Sequence, residues 1–197
     1  LSPGPLRLYA GVHASAAEND FTYLSDLGTT SETSDDVWRT RSNAGSAQLD
    51  ATVRGTLEFD GSRALRFGVL GLARDQGVPG DGRFTTRDAS LATRRGLAFL
   101  AWEDDGPGDA WRWRARLFGS GLQQRFTDRG GEIVPGRTTD TDDVTTSLGA
   151  STTLAVPVND VVAFTGLLEA RAESFRPWNA VESVPVGAPA DRQVAAA

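Results

Sequence analysis

The chain contains no cysteine, so neither a disulfide framework nor a thiolate metal site is open to it. Lysine is also absent, and all 20 basic residues are arginine; a preference of that kind often follows genome composition and says little about function. His13 is the single histidine, which rules out a histidine cluster for a metal. No run of about 18 apolar residues exists, so a transmembrane helix is excluded. No signal peptide pattern is visible, although its absence does not exclude export. The net charge of −6 argues against nucleic acid as a partner. No serine lies in a G-x-S-x-G setting, and with one histidine no catalytic group is expected. The chain is not read as an enzyme, and no cofactor is expected. Apolar residues make up only 39% while glycines number 22, a lean composition for a dry core. It suits a sheet with one apolar and one wet face.

What is present is period-two alternation, with little sign of helical period. The clearest run is Ala47 to Phe59, where odd positions are apolar or small and even positions polar or charged. The pattern recurs at Leu6–Ala14, at Leu65–Val69 (where Leu70 and Leu72 blur it), at Trp111–Ser120, at Val144–Val156 and at Val162–Arg171. Ala92–Trp102 is ambiguous, and Gly96, Ala98, Leu100 and Trp102 are favoured as its apolar face. About seven strands result, each long enough to cross a bilayer at a tilt, which takes about 9–11 residues.

The connections alternate in length. Short polar turns are expected at 60–63, 104–109 and 157–160, and long Gly/Asp/Thr-rich loops at 18–40, 75–88, 127–143 and 177–191. In an up-and-down meander all long loops then share one end, as in outer-membrane barrels. Phe59, Trp102, Trp111 and Trp113 sit beside short turns, where an amphipathic ring suits a membrane–water boundary. A soluble sandwich would also alternate, but these strands exceed the usual 5–6 residues. Their apolar faces also use Ala51, Gly55, Gly119 and Ala150, which pack a sandwich core poorly. The fold expected is therefore all-β: an antiparallel up-and-down segment of a transmembrane β-barrel with about 7–8 long strands.

The opposite face would carry Arg54, Glu58, Arg112, Arg114, Arg116, Glu169, Arg171 and Glu173. So many charges fit a wet lumen or a polar plug, not a packed core. They read either as a solvated wall with cross-strand ion pairs or as a ligand-guiding or plug-contacting surface. The long loops are acidic, with Glu32, Asp35 and Asp36 in the first and Asp140, Asp142 and Asp143 in the third. The last three offer oxygen ligands of the kind Ca²⁺ takes, without the spacing of an EF-hand loop; solvated loop acids are the competing reading.

Tyr23 to Thr30, then Ser34-Asp35-Asp36, then Arg39-Thr40-Arg41-Ser42-Asn43, resembles the early barrel region of TonB-dependent receptors. There an aromatic, acidic residues and Asn-Gly-Thr lead to an Asp-Asp pair and an Arg-x-Asn at the start of the next strand. Arg74 to Gly80 is similar to the Gly-x-Pro-Gly strand exit that follows in many of these receptors. Pro79-Gly80 stops the ladder and turns the chain. Leu27 stands where Asn is usual, and Ala44 where a second Asn is common. The pattern extends over about residues 6–176.

The resemblance implies ligand-gated import across the outer membrane of a Gram-negative bacterium, energised through TonB. Ferric siderophores, cobalamin, haem or saccharides are the usual ligands, and a 22-stranded barrel closed by an N-terminal plug is the usual form. Partners would be outer-membrane lipid, the TonB energy-coupling complex through a missing N-terminal region, and a small-molecule or metal-chelate ligand. No plug, no TonB-binding segment and no C-terminal aromatic is recognisable, so residues 1–197 are expected to be a partial barrel domain, truncated at both ends. Its sheet should be open and curved, with Leu6–Ala14 and Gln193–Ala197 not bonded to each other. No ligand-binding residues carry over, because the family shares no common contact motif. A passive porin-like barrel and a soluble secreted β-sheet binding module are the competing classes.

Overall fold

The computed structural model describes residues 5–27, 31, 33–80, 85–159, 161–179, 184–185 and 190–196. Glu32, Gly28 to Thr30 of the resemblance, Asp160 of the third short turn and the terminal Ala197 lie outside them.

Twelve strands follow one another: β1 (Leu6–Ala17), β2 (Thr22–Ser25), β3 (Val37–Thr40), β4 (Ser46–Asp60), β5 (Arg63–Gly77), β6 (Ser90–Asp105), β7 (Arg112–Asp128), β8 (Thr139–Pro157), β9 (Ala163–Arg176), β10 (Trp178–Asn179), β11 (Val184–Pro185) and β12 (Ala190–Ala196). A 3₁₀ turn at Pro107–Asp109 is the only helical element among the described residues. The long strands form one antiparallel meander in the order β1-β4-β5-β6-β7-β8-β9-β12. Among the described residues β1 pairs only with β4 and β12 only with β9, so the sheet is open, with a free edge at each side.

Alternation sets the register, because a slip of one residue would turn every side chain to the other face. Hydrogen-bonded neighbours carry one face unbroken across the sheet. Leu8, Gly55, Phe67, Leu100, Leu117, Ala150, Ala170 and Ala195 stand on a single rung, one from each long strand. This resolves the ambiguous strand: Gly96, Ala98, Leu100 and Trp102 do share the apolar face. Leu70 and Leu72 blurred the pattern because they lie on the polar face, where Leu70 pairs with Leu97.

The three short turns fall where expected, and two of them are held by local side-chain bonds. Asp60 Oδ1 accepts the backbone N–H of Ser62 at 3.0 Å, and Asn159 Oδ1 accepts those of Val161 and Val162 at 3.0 and 2.9 Å. The long loops need correction. The stretch 18–40 is not structureless, since β2 and β3 pair as a hairpin through Thr22↔Thr40 and Leu24↔Trp38. Its β-branched and aromatic residues suit a strand. The ladders also outlast the apolar alternation: β5 runs to Gly77, β7 to Asp128, and β8 starts at Thr139. Polar residues can extend a ladder beyond the apolar zone, so hydropathy underestimates strand length there. In the stretch 177–191, the short strands β10 and β11 pair with each other, and β10 reaches Thr141 of β8.

Candidate functional site

No second layer covers the apolar face among the described residues. Among the described residues Ala89 is the one buried hydrophobic side chain, while Leu8, Val12, Leu117 and Leu148 are 62%, 76%, 57% and 69% exposed. Charge begins abruptly at both ends of this face. Toward the long loops, Arg94 pairs with Asp75 at 2.9 Å and Asp142 accepts from Gln123 at 2.9 Å. Toward the short turns, Arg63 lies 3.5 Å from Asp104. Arg94 and Asp104 bracket the apolar stretch of β6. At about 3.4 Å per residue that interval covers roughly 34 Å of strand, or about 26 Å of height at a tilt of ~40°.

Phe59, Trp102, Trp111 and Trp113 lie at the short-turn margin of this band. Phe59 and Trp102 touch with ring centroids 5.3 Å apart. Trp113 donates its indole N–H to Thr152 Oγ1 at 2.8 Å. Trp111 packs on Gly106, and its carbonyl accepts the Gly106 N–H at 2.7 Å. An apolar groove of about 470 Å³ runs between Trp102, Trp113, Leu65, Leu100, Leu117 and Leu168.

The register puts Arg54, Glu58, Arg112, Arg114, Arg116, Glu169, Arg171 and Glu173 together on the opposite face. Several are paired. Arg7 binds Glu58, Arg66 binds Glu103 at 2.9 Å, and Arg171 binds Glu173 at 3.1 Å. Arg114 lies 4.0 Å from Glu103. Arg54 has no carboxylate partner among the described residues. Arg116 instead lies over two rings, 5.1 Å from the centroid of Phe99 and 5.5 Å from that of Phe118. Phe99 leans over Gly68 and Phe118 over Gly149, so the rings tilt away from each other. A Cβ at either glycine would overlap its ring, so a larger residue there would have to displace it.

The three aspartates named as oxygen ligands for Ca²⁺ do not converge. Asp140, 1% exposed, is gripped by two guanidinium groups: Arg125 at 3.0 Å and Arg129 at 2.7 Å. Asp142 is engaged by Gln123, and Asp143 pairs across the ladder with Gln124 on the other face. Alternation along β8 turns Asp143 to the face opposite Asp142, while Asp140, on the same face as Asp142, is already taken up by the two arginines.

One constellation escaped the sequence reading altogether. At the long-loop end, three connections are tied by polar side chains. Asn43, before β4, donates to the carbonyls of Ala89 at 2.6 Å and Val78 at 3.3 Å and to Thr86 Oγ1 at 3.2 Å. Glu132, in the β7–β8 connection, accepts the backbone N–H groups of Arg87, Asp88 and Ala89 at 2.8, 2.9 and 3.2 Å. Asp128 in turn accepts those of Glu132 and Ile133, both at 2.8 Å. Thr86, Ala89 and Asp128 are the best-buried residues of this clasp. The amides of Asp88 and Arg87, with that of Ala89, hold the Glu132 carboxyl below its usual range, against opposition from desolvation and from the charge of Asp128. The available signal was Asn43 itself, a left-handed residue (φ 53°) beside the quoted strand start.

Neither a protein-family model, nor a curated protein, nor a solved structure matches the chain.

Proposed function

We propose that this chain is part of the transmembrane wall of an outer-membrane β-barrel, belonging to a TonB-dependent receptor that imports a scarce ligand. The ligand class is that of ferric siderophores, cobalamin, haem or saccharides, and the partners are outer-membrane lipid and the TonB energy-coupling complex. One observation carries the membrane reading: an apolar face continuous over seven long strands, β1 and β4 to β9, left uncovered among the described residues and bracketed by ion pairs. Its height of roughly 26 Å agrees with the ~25 Å apolar band of such barrels. A water-exposed sheet of this kind would be an aggregation hazard, whereas lipid covers it without a second layer. The indole groups at the short-turn margin agree with an inner aromatic girdle.

The receptor reading rests on the sequence resemblance. It gains support from the clasp, in which the Arg-x-Asn asparagine, Asn43, bonds the carbonyl of Val78 beside the Pro79-Gly80 exit. The two halves of the resemblance, distant in sequence, are neighbours in space.

Surface labelling tests the reading. The chain lacks cysteine, so single cysteines can be placed in the full-length protein. With a membrane-impermeant maleimide on intact cells, Val134→Cys in a long loop should label and Ser62→Cys in a short turn should not. Labelling of Ser62→Cys with protection of Val134→Cys would overturn the orientation. Recovery of the protein in the soluble fraction would overturn the membrane reading.

A further inference from the structure

Taking the polar face as a wet lumen wall, we propose that it carries a binding tract for a polyanion with a planar ring, formed by Arg7, Arg54, Arg66, Arg114 and Arg116 around Phe99. This rests on the membrane-wall reading and names the chemistry of one part of that wall.

The tract follows from the register. One rung of the polar face reads Arg7, Thr56, Arg66, Ala101, Arg116 across β1, β4, β5, β6 and β7. Cations therefore stand on every second strand, about 9.6 Å apart at the usual strand spacing of ~4.8 Å. The small residues Thr56 and Ala101 leave room between them. The next rung reads Tyr9, Arg54, Gly68, Phe99, Phe118. The rung on the other side brings Glu58 and Glu103 with Arg114. On these three rungs of these five strands the five arginines face only two acids, a surplus of three positive charges in a chain whose net charge is −6.

The two acids are engaged by Arg7 and Arg66. Among the described residues Arg54 is left with no carboxylate, and Arg116 with the faces of Phe99 and Phe118. A guanidinium resting on rings is held in place while its N–H edge stays free to donate. Two hollows open here, one of about 380 Å³ containing Arg7, Tyr9, Arg54 and Arg66, the other of about 410 Å³ containing Arg66, Glu103, Arg114 and Arg116. Phe99 lines both. A ligand spanning them would meet arginine on either side and an aromatic surface between. Spaced forked donors select several carboxylate, phosphate or sulfonate groups over a single charge, and the ring selects a flat body.

The test uses the full-length protein purified in detergent and pyrenetrisulfonate (8-hydroxypyrene-1,3,6-trisulfonate), a fluorescent planar trianion, as the probe. Anisotropy should show saturable binding that weakens with salt. Arg54→Gln with Arg116→Gln should weaken it at least tenfold, and Arg137→Gln, in the β7–β8 loop, should leave it unchanged. Phe99→Leu should weaken the pyrene probe more than trimetaphosphate, which has charge without an aromatic face. Arg54→Gln alone and Arg116→Gln alone should each weaken binding by less than the double variant, which keeps the proposal testable should the double variant misfold. No saturable binding, or equal loss in Arg137→Gln and the double variant, would overturn it. Arginine-dependent binding by a protein found in the soluble fraction would keep the tract and reject the membrane wall. Absence of binding by a properly membrane-inserted protein would do the reverse.

Discussion

The side-chain amide of Asn43 donates to the carbonyl oxygen of Ala89 at 2.6 Å, joining the start of β4 to the start of β6. Both strands that flank β5 are thereby fixed at their loop ends by one side chain.

Replacing Asn43 by alanine should remove one of the two donors of each of the Ala89 and Val78 carbonyls, which keep the Val78 N–H and the Thr86 hydroxyl, and strain a left-handed backbone position (φ 53°). A cost of about 1–3 kcal/mol is expected. Gly77→Ala should do similar damage by a different route, because a Cβ there would overlap the side chain and carbonyl of Asn43. Unfolding of the full-length protein in detergent, followed by the shift of its heat-modifiable band, measures both. Wild-type stability in either variant would show that the contact is dispensable.

Acid should open the clasp at Glu132. Its carboxyl sits below the ordinary value because it accepts backbone bonds from Asp88, Arg87 and Ala89. A depressed folded-state value means that its contribution is complete above the ordinary glutamate range and is lost as pH falls through the lowered value. Hydrogen exchange of the 87–89 amides, corrected for intrinsic rates, should stay slow at neutral pH and accelerate only once the pH has fallen below the ordinary glutamate range. In Glu132→Gln the same amides should already exchange faster at pH 7, and the acid step should vanish. An acid step that persists in Glu132→Gln would assign it to another group.

Val53 and Thr52 are neighbours on β4 with opposite surroundings. Val53 shares its rung with Ala10 and Val69, Thr52 with Gly11 and Leu70. Arginine at a mid-membrane lipid-facing site costs roughly 2–4 kcal/mol, and far less where water reaches it. Val53→Arg should therefore depress folding into lipid vesicles well below Thr52→Arg. Equal yields for the two variants would contradict lipid on the Val53 side.

The long strands were legible because each obeys one period and one face is uniform. β4 could be read residue by residue from Ala47 to Phe59, and its ladder now extends that run by one residue at each end. The β2–β3 hairpin was not legible, since Thr22–Ser25 and Val37–Thr40 are each too short to establish a period. The polar face was legible as a set but not as pairs: the sequence placed Arg54 and Arg116 together, while the contrast with the paired Arg7 and Arg66 depends on register. The clasp left the faintest trace. Glu132 looks like any loop acid until the amides of residues 87–89 are brought to it, and contacts between loops carry no periodic signature.

The strand order also governs how such a sheet can assemble. From β4 to β9 every strand pairs with the next one along the chain, and no later strand inserts between two earlier ones. Growth can therefore proceed as a zipper, one hairpin at a time, with short loop closures and little entropic delay at each step. Each arriving strand satisfies one row of backbone groups and presents another. The unpaired rim thus moves along the sheet without lengthening, and every partly built stage offers the same template for the strand to come.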